Sequence, residues 1–277
     1  MESKSSVPPY PLTGSQLSLS PPRAVSRKVR RVSDYIAANR AIWNAWTTYF
    51  ATSAHHADAA LVHTGGSSLR SIEREEVGSV RGRTLLHLQC NMGADTLSWA
   101  RLGAQVTGVD IAENAIGAAR ALARETGLPA RFLQSDVYAL PAVLADEFDI
   151  VFASYGVLCW LPDLPRWAEI AARYVRPGGV FYLAEMHPFT NVFTTADPTG
   201  SGLDLHAARP YFHTAVPAAE KVEHTGAGNL TTLYSWSYGL GEVVSALLDA
   251  GLRLDFLNEH AVAFYQRFPT LVRGDDG

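Results

Sequence analysis

The sequence predicts an α/β fold built on a parallel sheet, and three observations carry that prediction. Residues 83–110 read as a β-turn-α-β unit: Thr84-Leu85-Leu86-His87-Leu88 is a short apolar run, residues 89–94 a tight polar connection, residues 95–102 have helical spacing, and residues 105–109 form a second apolar run. Ile150-Val151-Phe152-Ala153 is apolar throughout, as expected of a central parallel strand covered on both faces. Between these, residues 112–126 are a strong helical run of Ala, Leu, Arg and Glu, stopped by Gly127 with Pro129 beyond it. A chain of 277 residues with 47% hydrophobic content can bury the core of one such domain with an elaboration.

A connection that leaves a parallel strand and opens a helix presents unpaired backbone N–H groups and the positive helix end to a ligand. The second strand ends at Asp110, seventeen positions after Gly93. There an acidic side chain can accept both hydroxyls of a ribose, so an adenosine-containing cofactor is expected. A pyrophosphate site needs G-x-G-x-x-G, and Gln89-Cys90-Asn91-Met92-Gly93 keeps only the last glycine. Dinucleotides are therefore disfavoured.

The same run resembles the first motif of the class I S-adenosylmethionine-dependent methyltransferases, departing from it at His87, Gln89 and Asn91. Its longer form, His87-Leu88-Gln89-Cys90 through Asp95-Thr96-Leu97 with Trp99-Ala100-Arg101-Leu102-Gly103 after it, is similar to a bacterial small-molecule subgroup. The resemblance covers about residues 35–268. It implies a Rossmann-like doubly wound sheet with a reversed last strand, an N-terminal helical lid and a β-excursion after the fifth strand. It also implies S-adenosylmethionine as cofactor, S-adenosylhomocysteine as product, and no metal. Gln89, Cys90, Asn91, Gly93 and Asp95 would then hold the methionine tail, with Asp110 and Ile111 at the ribose.

From the N-terminus, residues 1–22 are rich in Ser and Pro and are expected to be disordered, followed by a basic cluster of Arg23, Arg27, Lys28, Arg30 and Arg31. Ser33 and Asp34 can cap a helix over residues 35–50, where Tyr35, Ile42, Trp43, Trp46 and Tyr49 recur at helical spacing. The resemblance makes Tyr35, Trp43 and Trp46 lid residues, Trp43 toward the cofactor and the other two toward the acceptor. His55, His56, Asp58 and His63 lack a metal-ligand pattern and read as a surface loop. Residues 73–77 look helical, and residues 78–82 turn into the first strand.

Beyond Asp110, residues 131–134 are the third strand. In the resembling family an acidic residue at its end receives the adenine amine and the next backbone N–H meets the ring; Asp136 and Val137 take those positions. The fourth strand ends at Ser154-Tyr155-Gly156, with Trp160 close behind. Ligands of open α/β sheets gather outside such strand ends, which places Ser154 at the cofactor and Tyr155 and Trp160 at the acceptor. Arg176-Pro177-Gly178-Gly179 is a turn common before the fifth strand in these enzymes. Residues 180–184 are that strand, delivering Glu185 and His187 to the same edge. His187 suits a general base, its unperturbed pKa being about 6.5, with Glu185 to orient it. Residues 189–238 form the excursion, each of its aromatic clusters, 211–213 and 234–238, being a candidate strand, with His213 and Trp236 toward the pocket. Residues 240–250 are a helix, and residues 253–257 and 261–268 read as an antiparallel pair closing the sheet.

The domain plan is thus a tail over residues 1–32, a helical lid over 33–82, a cofactor-binding core over 83–188, a substrate cap over 189–238 and a completing helix and strands over 239–277. A net charge of −4 and a pI near 6.1 argue against a nucleic-acid binder. The absence of an N/D-P-P-Y run after the fourth strand argues against methylation of nucleic-acid amino groups. Two cysteines, Cys90 and Cys159, and no membrane-length apolar run point to the cytoplasm. The function expected is methyl transfer to a nitrogen, or an oxygen, of a small aromatic or heterocyclic molecule of secondary metabolism, by a monomer or homodimer. The alternative is a protein of this fold that binds the cofactor without transferring its methyl, using it structurally or in a pericyclic reaction.

Overall fold

The structure is a computed structural model that describes residues 31–50, 57–195, 205–223, 230–263 and 271. The basic cluster up to Arg30, His55, His56 and the expected tail over residues 1–22 lie outside the described residues. Helix α1 (Val32–Phe50) is followed by short helices α2 (Ala57–His63) and α3 (Ser71–Val77). Asp58 and His63 therefore belong to a helix and not to a loop, because Val62 is buried and anchors that turn beside the main core.

The central sheet has five parallel strands in the order β3-β2-β1-β4-β5: β1 (Thr84–Leu88), β2 (Gln105–Asp110), β3 (Ala130–Gln134), β4 (Phe148–Ser154) and β5 (Val175–Ala184). Helices α4 (Ala94–Arg101), α5 (Glu113–Thr126) and α6 (Leu164–Tyr174) make the crossovers. Two cores result. Leu86, Leu88, Val151 and Ala153 face Trp167 and Tyr174 on one side of the sheet. Leu85, Ile150 and Phe152 face Trp99 on the other, where Phe152 stacks on Tyr182 at 5.6 Å. The order reverses between β1 and β4, so the carboxyl ends of those strands open a crevice for a ligand.

The expected turn at residues 176–179 is a bulge inside the fifth strand, since Phe148 pairs with Val175 and Ile150 with Val180. Asp149 fastens its base: its carboxylate accepts from the Thr84 N–H and hydroxyl and pairs with Arg176 at 2.9 Å.

Glycine is required at the start of α4. Gly93 has φ +77°, and a Cβ there would lie 2.8 Å from Ala119 and from the Phe132 ring. Gly93→Ala is expected to destabilise the fold by about 2–4 kcal/mol, the sum of left-handed strain and overpacking. A shift of the urea midpoint at constant slope reads this out.

After β5 come two antiparallel pairs, β6 (Phe193–Thr195) with β7 (Leu205–Ala207) and β8 (Ala218–Glu223) with β9 (Leu230–Ser235). The 211–213 cluster is not a strand, and the 234–238 cluster only begins in one. The β9 edge docks on α1: the Asn39 amide donates to the Tyr234 carbonyl at 2.7 Å and accepts from its N–H at 2.9 Å. Helix α7 (Leu240–Asp249) then packs against α6.

The expected strand over residues 253–257 is not formed, and among the described residues the central sheet has no reversed strand. Leu254, Phe256 and Leu257 remain about half exposed. The segment is held by side chains rather than by a backbone ladder: Asn258 and His260 meet Glu76, and Glu259 meets His187 at 2.6 Å. Residues 264–268 of the last expected strand lie outside the described residues.

Candidate active site

A cavity of about 330 Å³ lies at the carboxyl ends of β1, β2 and β4, beneath α1 and α3. Its floor is the turn after β1, where three residues take left-handed φ: Gln89 at +56°, Asn91 at +49° and Gly93 at +77°. An Asn tolerates this conformation, whereas a Gln must be fixed in it. Gln89 is fixed at both ends, its amide donating to the Val157 carbonyl at 3.1 Å and accepting from the Trp167 indole N–H at 3.1 Å. It therefore ties the first turn to the loop after β4.

Asp110 closes the far side of that turn. One carboxylate oxygen accepts from the Asn91 N–H at 2.8 Å and the other from the Ala112 N–H at 2.9 Å. A carboxylate has about four lone-pair sites, so acceptor capacity remains for a ligand hydroxyl. Burial pushes the carboxyl above its usual pKa, against the pull of these N–H groups. Asp136 lies in the wall beside Ile111 and Val137. It also caps the turn that follows, accepting from the Tyr138 N–H at 3.0 Å. Asp95, at the start of α4, accepts from Ser68 at 2.5 Å and from Ser154 at 3.4 Å, and burial raises its pKa too.

Cys90 and His87 line the back of the cavity. The Cys90 thiol is pushed well up by burial, which makes it an inert wall rather than a nucleophile. His87 is enclosed, its Nδ1 2.8 Å from the Thr96 hydroxyl, and burial lowers its pKa to about 3. Its ring is expected to stay neutral from pH 5 to pH 8 in nitrogen NMR spectra; protonation near pH 6.5 would contradict this enclosure.

Trp43 and Trp160 both reach the cavity and meet edge to face at 5.2 Å. Trp46 stands behind them, 5.1 Å from Trp43, outside the wall. Tyr35 is also outside the wall, because it packs on Tyr234 and Trp236 where the excursion docks. Trp236 itself is a buried core ring. His213 stacks on Tyr238 at 4.7 Å and borders a neighbouring groove between α6 and α7. Tyr35, His213 and Trp236 thus pack where the excursion meets the core, and Trp46 packs on Trp43 and Trp160.

The expected His187–Glu185 pair is not formed. Glu185 accepts four backbone N–H groups, from Gly156, Val157, Leu158 and Met186, at 2.7–2.9 Å. It shapes the loop after β4 and does not touch His187. His187 Nε2 pairs with Glu259, its Nδ1 accepts from the Phe189 N–H at 3.2 Å, and it is outside the cavity wall. Both ring nitrogens of His187 are thus engaged by protein partners.

The held loop instead presents Tyr155, at φ +42°, to the cavity. Its hydroxyl donates to Glu73 at 3.0 Å, and Glu73 on α3 is 1% exposed. Arg70 and Asp58 complete this end. The sequence reading passed over Arg70 and Glu73; the available signal was a charged run, Arg70 to Glu76, immediately ahead of the first strand. Among the described residues no group of three or more His, Cys, Asp and Glu can hold a metal, and no helix is long and apolar enough to cross a membrane.

Residues 86–183 match the family model of a methyltransferase domain. The chain is similar to the ubiquinone biosynthesis O-methyltransferase of Methylobacterium sp. (strain 4-46), 33% identical over 141 residues, which are 50% of this chain and 53% of that protein. It is 32% identical to the enzyme of that name from Proteus mirabilis (strain HI4320) over 39% of this chain and 44% of that one. The chain thus spans about half the length of the curated relatives it matches. Among solved structures, the DhpI–SAH complex is similar with a TM-score of 0.51 at 20% identity, over 79% of this chain and 89% of that one. Sheet order, crossover helices and these likenesses agree on a Rossmann-like class I methyltransferase fold.

Proposed function

We propose that the chain is a methyltransferase that uses S-adenosylmethionine to methylate a nitrogen of a small aromatic or heterocyclic molecule, leaving S-adenosylhomocysteine. The observation that carries this reading is the convergence of Asn91, Asp110, Asp136 and Ser154 on one cavity at the carboxyl ends of the parallel strands, inside the stretch that matches a methyltransferase domain. In this reading Asp110 takes the ribose, Asp136 and Val137 the adenine, and Arg70 and Asp95 the charged amino-acid tail, all from the cavity wall.

When bound, the cofactor supplies an electrophilic methyl group on a sulfonium. The chain's part is positioning: holding the acceptor atom in line at near-attack distance contributes several kcal/mol, about 7–11 at the upper end. The Trp43 and Trp160 rings exclude water and can favour positive charge at about 0.5–2 kcal/mol each. A small acceptor, a place in secondary metabolism, a cytoplasmic location and a monomeric or homodimeric state belong to the same reading. Nitrogen is favoured over oxygen by the acidic side chains of Asp58, Glu73 and Asp95 in the cavity wall, which suit a cationic acceptor. Oxygen is favoured by the names of the curated relatives, which are O-methyltransferases.

Incubation with methyl-labelled S-adenosylmethionine and a panel of arylamines and phenols, with the label located by fragment mass spectrometry, separates these acceptors. Cofactor bound but never consumed would favour the alternative of a cofactor-binding protein without transfer, serving structure or a pericyclic step.

A further inference from the structure

The proposed function assigns no part of the cofactor to the Tyr155–Glu73 pair of the cavity wall. Asp95 sits beside the turn that takes the cofactor's tail, and its two serine partners orient it there. Glu73 comes from α3, across the cavity, and reaches only the hydroxyl of Tyr155 among the hydrogen bonds described for it. That tyrosine is held in a left-handed backbone conformation, followed by Gly156 at φ +76°, by a loop whose N–H groups Glu185 collects. An L-residue in that conformation is costly and persists where its surroundings impose it. The loop thus spends backbone strain to aim a phenol at a buried carboxylate on the wall that also carries Trp43 and Trp160.

Resting on the methyltransferase reading, we propose that Glu73 and Tyr155 form the acceptor subsite, and that the acceptor is an arylalkylamine which enters as an ammonium. Tyr155 Oη donates its proton to Glu73, and a hydroxyl that donates can also accept, here from the ammonium. In the reaction the ammonium passes one proton to Tyr155 Oη while the tyrosine's own proton goes to Glu73, leaving a neutral amine and a carboxylic acid. The nitrogen lone pair then forms the bond to the methyl carbon as the carbon–sulfur bond breaks, its electrons staying on sulfur. Charge balances: one positive charge moves from sulfonium to methylated ammonium, and the proton on Glu73 leaves to solvent when the products depart. Glu73 is the proton acceptor, and Tyr155 touches the reacting nitrogen. Glu185, acting through the loop, is a positioning residue.

The test uses the full chain saturated with S-adenosylhomocysteine, titrated in a calorimeter with tyramine and with 3-(4-hydroxyphenyl)propionate, which has the same ring and the opposite charge. Tyramine is expected to bind saturably, at least about tenfold more tightly than the carboxylate, as a charge-assisted contact implies. Glu73→Gln should reduce tyramine affinity by about tenfold or more while S-adenosylhomocysteine affinity stays within about twofold. Should Glu73→Gln fail to fold, Tyr155→Phe, which conserves shape, should lower tyramine affinity about fivefold or more. The proposal is overturned if tyramine does not bind the loaded protein, if both probes bind equally, or if the variant that folds binds tyramine as the wild type does. A wild-type chain that fails to take up S-adenosylhomocysteine is a different failure, that of the methyltransferase reading itself.

Discussion

Asp110→Ala is expected to weaken S-adenosylhomocysteine binding at least tenfold. Both oxygens of this carboxylate are already aimed by backbone donors, Asn91 N–H at 2.8 Å and Ala112 N–H at 2.9 Å, so in the proposed role it would meet a ribose without reorganising. A charge-assisted contact of this kind contributes about 1.5–3 kcal/mol. The substitution also removes the acceptor that holds the Asn91 turn, which adds to the loss. Asp110→Asn separates the two effects: it keeps an acceptor for one N–H while losing the charge, and should bind more tightly than Asp110→Ala. Unchanged affinity in both variants would place the ribose elsewhere.

The largest effect on stability is expected from Glu185→Ala. Four N–H groups converge on this carboxylate, two of them on the buried residues Val157 and Leu158. A buried donor left without an acceptor costs about 1–3 kcal/mol, so the loss should be at least about 3 kcal/mol. For a domain of this size that is a fall of about 6–12 °C in Tm. The loop that carries Tyr155 should loosen with it, so any amine binding at Glu73 should fall while Asp110, on another strand, keeps its partners. A Tm within about 2 °C of the wild type would mean that solvent replaces the lost acceptor.

What could be read from the chain in advance follows a physical division. The strands around Leu86, Val109 and Ile150 were legible because a parallel strand buried on both faces must be apolar along its length, and that run is local. Gly93 and Asp110 were legible because a turn between strand and helix fixes their spacing. Residues whose role depends on distant partners were not. Nothing near His187 in sequence indicates that Glu259 will take its Nε2, or that Glu185 will turn toward the fourth strand's loop. Trp236 and Tyr35 were legible as aromatic but not as partners of each other, since their contact spans α1 and the far end of the excursion. Glu73 lies in a stretch legible as helical, but nothing local in sequence shows that α3 covers the cavity and buries this side chain. The strand expected over residues 253–257 had an alternating pattern, but pattern alone does not provide the neighbouring edge that a strand must pair with.

Isothermal titration of the full chain with S-adenosylhomocysteine tests the central claim most directly. The account predicts saturable binding of one equivalent, weakened in Asp110→Ala. No heat with S-adenosylhomocysteine or S-adenosylmethionine, from a chain whose folding is verified by a cooperative melt, would contradict it.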